Sequence, residues 1–172
     1  MSNRSLDNSS KRIAFCGIMT ALAIVFGYVE HIIPFPIGIY GLKLGLANLV
    51  VMVMLYTVSW HTALAINLLR IFISFILFGS ATSLIYSLFG GVLSFLIMLA
   101  LKGLKRPSFS PIGVSICGAV THNLGQIFAA VLLLEEFRIA LYIPVLITVG
   151  ALTGTLIGVI SFPIIKRFSR II

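Results

Sequence analysis

The sequence predicts an all-α integral membrane protein, a single bundle of six transmembrane helices with both termini cytoplasmic. Three observations carry that expectation. Apolar side chains make up 60% of the 172 residues and charged ones only 9%, which is more apolar surface than a water-soluble core of this length can hide. The apolar residues fall into six runs, 13–33, 44–59, 62–78, 83–101, 112–134 and 141–165. Six helices of about 20 residues each leave room only for short turns. Basic residues mark alternate junctions between the runs. A polar tail, 1–12, precedes one compact membrane domain, 13–172.

The first run follows Lys11 and Arg12 and so imitates a secretory signal. It is longer than the apolar stretch of such a signal, lacks a small-x-small cleavage site and is followed by five more runs, so a retained helix is expected. A Pro/Gly-rich bend, 34–43, separates it from the second run. Trp60 and His61 form a tight junction before the third, with Trp60 expected as an interfacial anchor. Lys102, Lys105 and Arg106 follow the fourth run, and Glu135, Glu136 and Arg138 form a salt-bridged turn after the fifth. Lys166, Arg167 and Arg170 close the sixth.

A net charge of +8 suggests nucleic acid in a soluble protein, but its distribution here points to topology. With six spans, Arg4, Lys11, Arg12 and the clusters after the fourth and sixth runs all fall on one side, which the positive-inside rule assigns to the cytoplasm. Glu30, Glu135 and Glu136 fall on the other, so no carboxylate is expected at membrane depth. Cys16 and Cys117 lie inside apolar runs, where small buried packing residues are the expectation. Neither a disulfide framework nor a metal site follows from them.

Polar groups at membrane depth each need a reason, since a charged side chain costs about 2.5–3.5 kcal/mol there on insertion scales. The segment PFPIGIYGLKLGLAN, 34–48, holds Lys43 in irregular backbone, which a bilayer tolerates only at its interface, inside protein or along a wet cavity. It is a candidate lid or floor of a ligand site, and Asn48 at its end is either a helix cap or an interhelical donor. In the third run Asn67, Arg70 and Ser74 share one helical face. That stripe is either an internal hydrogen-bond network or an anion-binding wall, since the planar guanidinium suits carboxylate or phosphate. The fifth run carries THNLGQ, with His122 and Gln126 on one face, Asn123 adjacent, and Gly118 and Gly125 near enough for close packing or close ligand approach.

Small residues mark helix contacts. Gly150, Gly154 and Gly158 form an uninterrupted G-xxx-G-xxx-G series in the sixth run. Ala14, Gly17 and Ala21 line one face of the first, serving either internal packing or the docking of a membrane partner. No Walker A sequence, dinucleotide fingerprint or HExxH occurs, and no aspartate follows Asp7. Metal-dependent diphosphate chemistry needs clustered carboxylates, so neither an enzyme nor a cofactor is expected. Any uphill transport would draw on a partner subunit or an ion gradient.

The segments IPFPIGIYGLKLGLANLVVM, NLLRIFISFILFGS and THNLGQ resemble the Gx transporter family, also labelled heptaprenyl diphosphate synthase component I, over about 13–166. That family in turn looks like the substrate-binding S components of energy-coupling-factor (ECF) transporters, six-helix proteins of prokaryotic plasma membranes. The resemblance implies a small-molecule substrate and a complex with a T component and two ABC ATPases, with the lipid bilayer around it and no nucleic acid. It implies that the 34–43 bend closes over a cavity lined by Asn48, Asn67, Arg70, His122 and Gln126, with Lys43 and Asn123 adding to substrate contact. Ala14, Gly17 and Ala21 match the small helix 1 residues that S components present to the T component, although the usual alanine pair is here Gly17 and Ala21. The leading expectation is uptake of a small anionic or amphipathic cofactor-type molecule. The alternatives are a non-catalytic membrane accessory of an isoprenoid or quinone pathway and a stand-alone ion-driven carrier.

Overall fold

The computed structural model describes residues 2–32, 45–104 and 110–168, and the expectations placed on Lys43 and on the 34–43 bend lie outside them. The described residues form six α-helices: α1 (Ser2–Ile32), α2 (Asn48–Thr57), α3 (Trp60–Phe78), α4 (Ala81–Gly103), α5 (Pro111–Leu134) and α6 (Ile143–Phe168). A short 3₁₀ turn, Phe137–Tyr142, leads into the last. Five of the helical spans are long and apolar enough to cross a membrane, and the protein is a multi-pass membrane bundle.

Serine sets three of the helix starts. Ser59, Ser80 and Ser110 each stand in extended backbone and accept an N–H from three residues on, at 3.2 Å in all three cases. Such a cap stabilises a helix by about 1 kcal/mol. It also begins α3, α4 and α5 one or two residues before the apolar runs do. Trp60 and His61 are therefore the first turn of α3 and not a junction, and their rings stack at 3.4 Å.

The larger departure is α2. The run 44–59 is apolar throughout, yet the helix has ten residues, about 15 Å of rise against a hydrocarbon core of about 30 Å. It is the inner post of the bundle, touching α1, α3, α4, α5 and α6, and every residue from Asn48 to Leu55 is buried. A helix apolar on all sides is buried in protein or in lipid, and this one is enclosed by protein. At its far end the Lys102 ammonium of α4 donates to the Leu55 carbonyl and lies 5.1 Å from the centre of the Tyr56 ring. A cation is favourable at that end of the helix dipole.

Basic residues gather at one end of the bundle. Phe15 near the start of α1 packs on Phe168 at the end of α6, with ring centres 4.8 Å apart, while Lys102 meets the end of α2. The acidic turn lies at the other end. There Glu135 adopts the left-handed conformation that closes α5, and Glu136 receives the Arg138 N–H and stands 3.7 Å from its guanidinium. The expected salt-bridged turn is present, and its exposure makes it worth little.

Two apolar clusters divide the interior. The larger surrounds α2 in the basic half and includes Phe15, Met19, Ile66, Phe95, Met98 and Ile157. The smaller lies toward the acidic end, with Tyr86, Ile127, Ala130 and Leu146. Between them, on α3, α4 and α5 alike, comes a layer of buried polar side chains.

Candidate binding site

The polar layer begins where α2 begins. Gly45 has φ +82°, a conformation that strains any residue with a Cβ. A Cβ there would also stand 3.1 Å from the His122 ring and 3.2 Å from the Asn48 amide. The glycine thus lets the chain turn into α2 directly against α5. Asn48 follows as the first residue of the helix, and it is an interhelical link and not a cap. Its Nδ2 donates to Ser94 Oγ of α4 at 3.3 Å, and its Oδ1 receives Arg70 Nη2 of α3 at 3.5 Å.

Arg70 is 4% exposed and Asn67 fully enclosed. The guanidinium Nε donates to Asn67 Oδ1 at 3.1 Å, and Asn67 Nδ2 donates to the Gly91 carbonyl of α4 at 3.0 Å. The shared face predicted for Asn67, Arg70 and Ser74 is therefore real and turned inward. Its third member meets α1 at close range, since a Cβ on Gly27 would fall 2.8 Å from Ser74 Oγ.

On α5, His122 and Gln126 are 2% and 0% exposed, and Gln126 Nε2 lies 2.7 Å from His122 Nε2. With the amide donating, that ring nitrogen accepts and the ring proton sits on Nδ1. Gly90 of α4 makes room for the pair, because a Cβ there would come within 2.8 Å of both Gln126 Cγ and the His122 carbonyl. Asn123 does not join them. Its Nδ2 donates to the Leu146 carbonyl of α6 at 2.9 Å, on the face of α5 turned toward α6.

Three groups in the layer are not anticipated by the sequence. Glu30 lies near the acidic end of α1, as expected, but it is only 5% exposed. Its Oε1 accepts the Leu46 N–H at the entrance to α2, and its charge acts on Arg70. The carboxylate expected at the outer edge is thus enclosed by the bundle. Helix α4 supplies the second group, a buried stripe of Ser83, Ser87, Gly90, Gly91 and Ser94. That stripe has helical spacing, a signal the sequence carries, although isolated serines in an apolar helix attract little notice. Third, Ser87 Oγ is buried and has no hydrogen-bond partner among the described residues.

The layer thus holds two opposite charges, several amides and hydroxyls, and an imidazole, contributed by four helices around the start of a half-length fifth. Outside the α4–α5 seam, a groove lined by Leu88, Phe89, Val92, Leu93, Leu96 and Phe128 is wholly apolar, as a lipid-facing surface should be. On α1, Ala14, Gly17 and Ala21 are all exposed, and a Cβ on Gly17 would meet nothing within 4 Å.

Residues 19–163 match the family described as heptaprenyl diphosphate synthase component I. The chain belongs to that family. The match takes in every polar residue of the layer and all of α2 to α5. No curated protein and no solved structure matches the chain.

Proposed function

We propose that this member of the heptaprenyl diphosphate synthase component I family is a non-catalytic substrate-binding membrane subunit, comparable to the S component of an ECF-type importer. Its cargo would be a small anionic or amphipathic cofactor or precursor. One observation carries the reading. Asn48, Asn67, Arg70, Ser94, His122 and Gln126 are enclosed together at the start of α2, and the buried Ser87 hydroxyl, on the same stripe of α4 as Ser94, has no hydrogen-bond partner among the described residues. An unsatisfied buried hydroxyl costs about 1–3 kcal/mol, which a polar ligand group would relieve. A helix that starts inside the bundle also directs the positive end of its dipole at the layer, an arrangement suited to an anionic group.

In this reading Arg70 holds the anionic part through its planar fork, Asn48, Asn67, His122 and Gln126 fix orientation, and the exposed Ala14, Gly17 and Ala21 face meets a T component that works with two ABC ATPases in a prokaryotic plasma membrane. Purification in mild detergent from the native host, with mass spectrometry of proteins and small molecules, tests it. A T component, two ATPases and a retained metabolite are the expected result. Arg70→Lys, which keeps the charge and loses the fork, should leave the protein folded and lower the amount of retained metabolite about tenfold.

The family's description favours a second reading, a partner-recruiting membrane accessory of prenyl diphosphate synthesis. Recovery of a soluble, aspartate-rich synthase without ATPases or metabolite would establish that one and overturn the first.

A further inference from the structure

We propose that Glu30 occupies the anion position of the site in the empty protein, and that an anionic ligand enters by exchanging with it. The inference rests on the ligand site proposed above and adds the step by which that site is opened. Three features lead to it. Glu30 is buried at 5% exposure although it lies only two residues from the end of α1, where His31 and Ile32 are exposed. Its carboxylate accepts the Leu46 N–H, just ahead of a helix whose own N-cap residue, Ala47, provides no side-chain cap. It therefore does from α1 what an aspartate at the cap would do locally, and it places negative charge at the positive end of α2.

The third feature is Arg70. The hydrogen-bond acceptors found for its guanidinium, Asn67 Oδ1 and Asn48 Oδ1, are neutral amide oxygens, and Glu30 acts on it through charge. The stretch from Leu46 to Asn48 thus receives the carboxylate on a backbone N–H at one end and the guanidinium on a side chain at the other. A ligand carboxylate or phosphate offers the same charge and the same acceptor atoms as Glu30 does. It can take the place of Glu30 at the Leu46 N–H and bring the same charge to the neighbourhood of Arg70. A neutral ligand cannot, so the exchange selects for anions.

The test uses the full chain in lipid nanodiscs, with sodium phosphate and sodium pyrophosphate as probes and sodium chloride of matched ionic strength as control. Glu30→Gln removes the internal anion, and it should bind the probes at least about tenfold more tightly than the unaltered protein, as expected for the loss of one competing charge nearby. Equal or weaker binding by Glu30→Gln overturns the proposal. A second measurement needs no ligand. Thermal unfolding of Glu30→Gln, Arg70→Gln and the double variant should show coupling, the double losing less than the sum of the singles. If Glu30→Gln alone does not fold, recovery of folding in the double supports the pairing; additive losses, or failure of the double as well, overturn it. Because this cycle is read without substrate or partner subunits, the exchange step and the importer reading fail separately.

Discussion

The two sides of α5 are both closed by glycine and use the space differently. Toward α6, a Cβ on Gly150, Gly154 or Gly158 would strike the backbone of Val120, Ile116 or Ile112 at 3.0, 2.6 and 2.8 Å. Helix lies on helix, and what glycine removes there is the only obstacle. Toward α4, Gly90 faces the His122 carbonyl and the Gln126 side chain, so the room is given to polar side chains. On that side Gly125 also lies against the Phe89 and Gly90 backbone, so close approach packs helix on helix on both sides and additionally seats the His122–Gln126 pair on the α4 side. The sequence pattern of spaced glycines does not by itself distinguish them.

The comparison can be broken by substitution, and the largest effect belongs to the dry side. Gly154→Leu should destabilise the protein by about 3 kcal/mol, read from thermal unfolding in detergent, because its first added atom already overlaps Ile116. A smaller change comes from Asn123→Leu, which removes the amide's added bond to the Leu146 carbonyl of α6. It should cost about 1 kcal/mol of stability while ligand retained per folded molecule stays constant. Gln126→Leu, one turn away on the other side, should lose ligand instead. Identical behaviour of these two variants would erase the division of α5 into a packing side and a polar side.

Ser87→Ala should raise the stability of the ligand-free protein by up to about 1 kcal/mol, by removing a buried hydroxyl that has no partner among the described residues. The same change should lower ligand retention several-fold. A loss of stability would mean that the hydroxyl is satisfied internally. The smallest effect on stability is expected from Gly17→Leu on the exposed face of α1, within about 0.5 kcal/mol in thermal unfolding. Its signature should be loss of co-purifying membrane protein alone.

Much of this architecture is legible in the amino-acid sequence. The five long helices are visible as apolar runs because a bilayer demands length and little else. The α5–α6 seam is visible as a glycine series because close backbone approach admits no other residue. The Asn67–Arg70 face follows from helical spacing alone. The polar layer is less legible, for three physical reasons. Glu30 has a sequence position fit for the aqueous edge, and the return of the chain into α2 brings the Leu46 N–H onto it. His122 and Asn123 are neighbours in sequence but lie about 100° apart around a helix, so adjacency puts two different interfaces into one group. The length of α2 is hidden because 44–59 is apolar whether it spans a membrane or lies inside a bundle.

That short helix also bears on how the protein is made. Ten residues of helix do not reach across a bilayer, and with Asn48 to Leu55 all buried, α2 has almost no surface of its own to offer lipid. During synthesis it cannot be integrated by partitioning into lipid as a span that stands alone. Its position depends on α1 and α3 being in place on either side, and on α4, α5 and α6 arriving later to wall it in. Nascent chains truncated after α3 should therefore leave the 48–57 segment open to modification by water-soluble reagents, and completion of α6 should close it.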